Sequence, residues 1–338
     1  MPRLARSVSA LLLGAALAAC SGGDGGGGAD AGGPLPDAGY GESFTVEWGP
    51  VEVPPLTEDT RCVVKRIGND RPLRIGRFIN DLGDASHHLI VYRLAEGEEI
   101  LEPTPCDPFQ DVLDPTKGAP LAVTQKASET ITLPPGVAYS LDVNQLVRLE
   151  MHYVNSSDQM KTVTASTTFV EIPEQDFRHE ADFLFVGNPD IEIDPMSAFT
   201  LGPSYLPLPA GLADINIFAI TGHEHQWGTG VEVAIAETVD GPDTMVYAPE
   251  PFLWSEPETI YHDPPLTVPP NGGFRFTCEY YNGSTETVGF GESASDEMCF
   301  FWAYYYPSQG AKVCLHSDEY GANVCCPGDA LCALVDQL

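Results

Sequence analysis

The stretch PPNGGFRFTCEYYNG, residues 269–283, decides the fold class of this chain. Its turn formers at 269–273 lead into an aromatic-rich run, and Asn282-Gly283 ends that run. Aromatic and β-branched residues bounded by Pro, Gly and Asn indicate a β-strand. The same pattern recurs in runs at 43–53, 88–92, 146–154, 163–170, 215–220, 230–236 and 300–306. Closely spaced strands of this kind predict an all-β protein built from antiparallel β-sandwiches.

Length and charge bound the organisation and the partners. The 338 residues suit about two domains of ordinary size. Pro173 and the acids around 172–180 interrupt the apolar pattern, so we expect domains at 45–174 and 175–312, followed by a Cys-rich tail at 313–338. The formal net charge of −33 argues against nucleic-acid binding, because such a surface repels phosphate.

The first 44 residues are predicted to be an export signal followed by a flexible tether. Arg3 and Arg6 precede a short apolar run that ends in Leu17-Ala18-Ala19-Cys20, as in a secretory signal. The tetrad resembles the lipobox of bacterial lipoproteins, so residues 1–19 are predicted to be removed and Cys20 to be lipidated. The Gly-rich residues 20–44 are then a flexible tether. We expect an exported protein, held at a bacterial envelope membrane through this N-terminal anchor alone.

Eight cysteines remain after Cys20, at positions 62, 106, 278, 299, 314, 325, 326 and 332. An even number in an exported chain predicts four disulfides, and the sequence alone allows 105 pairings. Thiolate metal ligands are the weaker interpretation, since no pair has C-x2-C spacing. The last four cysteines are expected to staple a small C-terminal tail.

Five of the eight histidines lie in three short motifs: Ser86-His87-His88-Leu89, Leu149-Glu150-Met151-His152-Tyr153 and Thr221-Gly222-His223-Glu224-His225. Residues two apart on a strand share a face, so His223 and His225 can meet one ion. Glu150 shares a face with His152 in the same way and is expected to orient its imidazole. Adjacent residues point to opposite faces, so His87 and His88 can bind one metal only if the backbone bends between them or the two rings use different nitrogens.

Each motif also has an ordinary interpretation. His-x-His on a strand is weak evidence alone, a His-His pair often lies on a solvated loop, and a single His is often a core residue. Met298 before an aromatic run is usually core filling. It is their joint presence in an exported β-protein that favours metal binding.

Taken in order, these residues resemble the copper type II ascorbate-dependent monooxygenase family over about residues 45–312. The matching motifs are His87-His88, His152 before a Tyr, His223-Glu224-His225, Asp296-Glu297-Met298-Cys299 and Tyr305-Tyr306-Pro307. Cys62 and Cys106 flank the first motif, and Cys278 and Cys299 flank the approach to Met298, much as two disulfides of the family do.

The resemblance implies two jelly-roll-like β-sandwiches that hold two copper ions and face each other across a solvent-filled cleft. His87, His88 and His152 would hold an electron-storing copper. His223, His225 and Met298 would be the catalytic ligands of the copper that meets dioxygen and substrate. Ascorbate or another one-electron donor would supply electrons. The softness of the ligands agrees with this assignment to copper, because a thioether selects Cu(I) and is not a usual ligand of zinc.

The substrate is predicted from three positions around these ligands. In the peptide-amidating members of the family, three residues next to the ligand motifs hold the carboxylate of the substrate. The positions of this chain that resemble them in spacing are Thr221, Phe300 and Trp302. None of these three residues is cationic, so a substrate carboxylate would lack charge-assisted hydrogen bonds here. A small apolar or aromatic substrate fits better. Alternation places Phe300 and Trp302 on one strand face and Phe301 on the other.

Three function classes follow from the sequence. The leading one is a copper-dependent enzyme that hydroxylates a C–H bond of a small molecule with dioxygen. The second is a non-catalytic copper-binding lipoprotein for storage or transfer. The third is a β-sandwich adhesion or assembly module with incidental histidines. The oligomeric state does not follow from the sequence.

Overall fold

The computed structural model describes residues 39–83, 86–107, 118–329 and 332. The predicted signal peptide, Cys20 and most of the tether lie outside the described residues. Within these residues, eleven strands precede residue 181: β1 (Ser43–Val53), β2 (Thr57–Arg66), β3 (Leu73–Leu82), β4 (Ser86–Leu94), β5 (Ile100–Pro105), β6 (Gly118–Thr124), β7 (Ser128–Thr132), β8 (Val137–Leu141), β9 (Leu146–Asn155), β10 (Lys161–Glu171) and β11 (His179–Glu180).

Twelve more described strands follow: β12 (Asp182–Gly187), β13 (Glu192–Ile193), β14 (Ser197–Pro207), β15 (Asn216–His223), β16 (Gly228–Ala236), β17 (Asp243–Tyr247), β18 (Thr259–Thr267), β19 (Gly273–Asn282), β20 (Val288–Gly289), β21 (Phe300–Tyr306), β22 (Lys312–Ser317) and β23 (Ala322–Cys326). Two 3-10 helices span Glu174–Asp176 and Ala210–Leu212. No helix of the described residues is both long and apolar enough to span a membrane.

The strands form four large sheets, which we call sheets I to IV. Sheet I has the order β1-β10-β3-β8-β11, with β7 also on β3, and sheet II the order β5-β2-β9-β4-β6. Sheet III has the order β18-β15-β21-β12-β22-β23, and sheet IV the order β14-β19-β16-β17. Strands β13 and β20 form a separate pair. The all-β prediction of sandwiches is therefore confirmed.

Burial along the strands shows how the sheets are layered. Strands β1 and β10 of sheet I alternate between buried and less buried residues, as expected where one face of a sheet meets water. Strands β9, β15 and β21 are buried along nearly their whole length. The interior strands of sheets II and III are thus covered on both faces, as expected if these sheets pack against each other as the two inner layers.

Strand β21 shows the packing of sheet III directly. Phe301 points into the core shared with sheet IV, where its ring centroid lies 5.1 Å from that of Phe274. Trp302 and Tyr304 point the other way, into the core that continues through sheets II and I. The Tyr304 hydroxyl accepts a hydrogen bond from the backbone N–H of Val123 in sheet II, at 3.1 Å. Residues from 39 onward accordingly form one compact unit.

The chain passes from the first sandwich to the second between β11, which pairs with β8, and β12 in sheet III. The division at residues 174 and 175 stays a prediction. The tail joins sheet III: β22 runs parallel to β12, and β23 pairs with β22.

Four disulfides connect the described cysteines, as the even count predicts. They are Cys62–Cys106, Cys278–Cys299, Cys314–Cys325 and Cys326–Cys332. The first two pairs are those that the family resemblance implies. Cys278–Cys299 links sheet IV to the residue before β21, and it therefore anchors the backbone beside Met298.

Candidate metal centre

A local irregularity of β4 brings its two adjacent histidines together. The β4–β9 register shifts between Ser86 and His88, so His87 is left out of the regular pairing. An extra residue of this kind bends a strand and re-aims its side chains. The two ring centroids are 5.2 Å apart instead of lying on opposite faces. Of the two arrangements that the sequence allows for one shared metal, the bend is therefore present.

His152 completes a first set of three histidines. It lies directly opposite His88 in the β4–β9 pairing. One ring nitrogen from each of His87, His88 and His152 lies within 4.8 Å of the others, and all three residues are buried. Neighbouring strands of sheet II thus hold three imidazoles around one point.

The carboxylate that bonds His152 belongs to Glu58 on β2. Its Oε1 lies 2.8 Å from His152 Nε2, and this hydrogen bond lowers the pKa of Glu58 to about 2. Nε2 donates to the carboxylate, which leaves the lone pair on Nδ1 for a metal. The expectation for Glu150 needs correction, since its carboxylate lies 3.9 Å from the Arg148 guanidinium and near Tyr92.

The second set begins where β15 ends. His223 is the last residue of β15, and His225 follows two residues later, with ring centroids 5.0 Å apart. His225 Nδ1 donates to the backbone oxygen of Asp296 at 3.2 Å. This bond fixes the tautomer that presents the lone pair on Nε2.

Glu297 ties the backbone of this pair to that of Met298. Its carboxylate accepts from the backbone N–H of His225 at 2.8 Å, of Trp227 at 2.7 Å and of Met298 at 3.3 Å. Burial raises the pKa of Glu297 to about 7 against the opposing effect of these bonds. Met298 itself is buried in the apolar core that also contains Phe300 and Trp302.

The two sets lie against each other. The His87 ring centroid is 6.1 Å from that of His223 and 5.8 Å from that of His225, and the rings of His88 and His223 are 6.0 Å apart. All six predicted ligands are at most 5% exposed. The structure therefore differs from the solvent-filled cleft that the resemblance implies, because sheets II and III pack directly together.

The lowered pKa values of these imidazoles favour the binding of a cation. Burial lowers the pKa of His87, His88 and His223 well below the usual value, and it lowers the pKa of His225 to about 4. The imidazoles are therefore neutral at pH 7 and need not release protons to bind a metal.

The ring nitrogens also fit a metal. Among the described residues, no hydrogen-bond partner faces the buried atoms His87 Nε2, His152 Nδ1 or His225 Nε2. Buried polar atoms without partners are costly, and a bound ion is one explanation for them. Imidazoles suit copper, and a thioether is a soft ligand that favours Cu(I); Met298 supplies one on a backbone that Glu297 ties to that of His225. The residues present fit the metal that the resemblance implies.

The three predicted substrate residues lie beside His223 on the paired strands β15 and β21. Phe300 stands opposite His223 in the β15–β21 pairing, and Trp302 stands opposite Thr221. Phe300 stacks on Phe185 with ring centroids 4.8 Å apart, and the Trp302 ring lies 5.9 Å from His223. Phe300 and Trp302 share a face, opposite to Phe301, as alternation predicts. Their contact with substrate stays a prediction.

Thr221 takes part in a short polar chain. Its hydroxyl lies 2.9 Å from that of Thr259, which donates to the carboxylate of Glu129 at 2.9 Å. Sequence reasoning missed another aromatic residue, Trp254, in the segment between β17 and β18. Its half-buried ring lies 5.7 Å from His87. An isolated Trp far along the chain carries no pattern that would place it there.

Gly187 gives a direct test of how tightly the aromatic wall is packed. A Cβ added at Gly187 would overlap the Phe300 ring. Gly187→Ala should therefore push Phe300 off Phe185 and lower the free energy of unfolding by about 1–3 kcal/mol, as overpacked cores do. Chemical denaturation with intact disulfides measures this. Gly211→Ala, whose Cβ would enter open space, should cost nothing; equal losses in both variants would contradict the packing described.

Comparison with known proteins agrees with the second ligand set. Residues 206–324 match the family model "Copper type II ascorbate-dependent monooxygenase, C-terminal domain". This range contains His223, His225 and Met298, whereas the first three histidines precede it. No curated protein matches the chain. Over residues 206–324, the chain is similar to the C-terminal domain of the copper type II ascorbate-dependent monooxygenase family.

Proposed function

We propose that this protein is a copper- and dioxygen-dependent monooxygenase. It hydroxylates a C–H bond of a small apolar or aromatic molecule, and ascorbate or a similar one-electron donor supplies the electrons. The observation that carries the proposal is the meeting of five buried histidine rings at the interface of two sandwiches; two of these rings, His223 and His225, belong to the matched residues 206–324.

The two donor sets suit two copper ions with different roles. His87, His88 and His152 offer three imidazoles, which accommodate both Cu(I) and Cu(II). His223, His225 and Met298 add a thioether, which favours Cu(I). When bound, copper supplies the one-electron chemistry with dioxygen that the side chains themselves cannot perform.

The chain's own residues orient the ligands and exclude water. Glu58 and the Asp296 carbonyl each hold one ligand ring in a single tautomer. Sheets II and III bury the rings, which strengthens electrostatic interactions at the site. Ring centroids of the two sets lie about 6 Å apart, so an electron moving between them need not cross bulk water.

The surroundings suggest a first class of substrate to test. Phe300 and Trp302 offer an aromatic wall beside His223. A cavity of about 250 Å³ borders His152, and it includes the carboxylates of Glu58, Asp59 and Glu292 in its lining. Aromatic side chains beside the second ligand set and acids beside the first suit a molecule with a ring and a positive charge. Arylalkylamines combine both features.

The test combines metal content with oxygen uptake. We expect two coppers per chain, and ascorbate-dependent oxygen uptake that an arylalkylamine stimulates and that yields a hydroxylated product. Copper chelation should stop the uptake, and added copper should restore it. Copper binding without substrate-stimulated uptake across such amines would favour the storage or transfer protein. A chain that binds no copper would contradict both the monooxygenase and the storage or transfer protein, and the adhesion or assembly module would then be the remaining function class.

The place of action follows from the N-terminus and the disulfides. We propose that the protein is exported and lipid-anchored at Cys20 to a bacterial envelope membrane. The lipobox-like tetrad supports this proposal. Four disulfides support export, because they persist in oxidising compartments.

A further inference from the structure

The hydrogen-bond partner of His223 comes from the opposite sandwich. Gln125 follows the last residue of β6 in sheet II, and its side chain is buried. Its Oε1 accepts a hydrogen bond from His223 Nδ1, and its Nε2 lies 3.5 Å from the backbone oxygen of Gly222. The Gly222 carbonyl can only accept, so the amide is held with its oxygen toward the ring.

This contact determines which nitrogen of His223 can bind a metal. With the proton held on Nδ1 by Gln125, the lone pair lies on Nε2. The acceptor also raises the basicity of the ring, and partners of this kind are typically worth 10- to 100-fold in metal affinity. Asp296 accepts a hydrogen bond from His225 and Glu58 accepts one from His152 in the same way, but each of these acceptors belongs to the same sandwich as its histidine.

A second contact crosses the interface in the same region. The Glu58 carboxylate that holds His152 also accepts from the backbone N–H of Ala294 at 2.8 Å and from the hydroxyl of Ser293 at 3.2 Å. Both residues precede Met298 in the chain. The first sandwich therefore contacts the second ligand set at His223 and at the segment leading to Met298.

We infer that Gln125 is the positioning residue of His223, so that the ligand set His223, His225 and Met298 is fully oriented only while the two sandwiches are docked. The inference deepens the proposed function and rests on it. If sheet II moved away from sheet III, His223 would lose its acceptor and exchange tautomers, while the hydrogen bond of His225 to Asp296 would remain. Docking of the sandwiches and strength of the second metal site are thereby linked.

The test uses three variants of the full chain. Gln125→Ala removes the acceptor, and Gln125→Glu keeps an acceptor oxygen. Tyr261→Phe is the matched control, since it removes a bond of 3.5 Å from the Tyr261 hydroxyl to the Thr130 carbonyl that crosses the same interface without touching a ligand. The measurements are the Cu(I) affinity of each site, by competition with a chelator, and the infrared stretch of carbon monoxide bound to the reduced protein.

In Gln125→Ala, the affinity of one of the two sites should fall 10- to 100-fold. The carbonyl stretch should rise, because a less basic imidazole donates less charge to the metal. Gln125→Glu should keep the affinity within a few-fold and lower the stretch. Tyr261→Phe should match the unmodified protein in both measurements.

Two results would overturn the inference: unchanged affinity and stretch in Gln125→Ala, or an equal change in Tyr261→Phe, which would make the effect one of docking alone. If Gln125→Ala does not fold, Gln125→Glu decides, since an unshifted stretch there contradicts positioning. Failure of the proposed function is distinct, because the unmodified protein would then bind no copper or show no substrate-stimulated oxygen uptake.

Discussion

Met298→Ile should abolish turnover while copper stays bound to His87, His88 and His152. Isoleucine is similar to methionine in volume, so the core should lose less than about 1.5 kcal/mol. It has no sulfur, and the second site would keep only its two imidazoles. We expect substrate-stimulated oxygen uptake to fall by at least about 100-fold, because the chemical step takes place at this metal. Oxygen uptake and copper content measured on one sample test this.

The neighbouring core methionine Met151 provides the matched control for this experiment. It is fully buried on β9, with its side chain in the apolar core of the first sandwich. Met151→Ile should keep turnover close to normal, since only packing changes. Retained turnover in Met298→Ile would count directly against the assigned oxygen site. Equal loss in both variants would point to core damage.

His87→Ala should remove the other copper. The first site would be left with two imidazoles, and its affinity should fall below what survives dialysis. Copper content should drop from two ions per chain to one, and steady-state turnover should fall by at least about 100-fold because the second electron has no store. The copper at His223, His225 and Met298 should remain. Metal analysis and Cu(II) paramagnetic resonance measure these changes.

His179→Ala controls for the loss of a histidine as such. His179 is exposed on β11 and packs against Tyr306, away from the metal centre. This variant should keep two coppers and normal turnover. If His87→Ala also kept both coppers, the three-histidine set would not be a metal site.

Much of the centre was predictable because its ligands lie in short local motifs. His223 and His225 come together as their two-residue spacing predicts, although His225 lies just beyond the end of β15, and the bend at His87-His88 is one of the two arrangements that the strand period allows. The family resemblance adds Met298, which no spacing rule identifies. It also implies the pairs Cys62–Cys106 and Cys278–Cys299, which the structure contains.

The residues that orient the ligands were not predictable, because they depend on pairing and docking. Glu58 reaches His152 through the β2–β9 register, which a single sequence does not specify. Gln125 and Trp254 reach the site only once sheets II and III are packed together. The polar residues of β9 gave one hint, since Arg148 and Glu150 are buried with His152 on a strand that a simple sandwich would leave half exposed.

The two copper sites are expected to differ in their donors, and X-ray absorption at the copper edge of the reduced protein tests this most directly. The unmodified chain, loaded with two coppers, should show one sulfur neighbour for every two coppers, with imidazole nitrogens for the rest. Met298→Ile should show none. A copper-loaded protein whose spectrum lacks sulfur, or keeps it unchanged in Met298→Ile, would contradict the assignment.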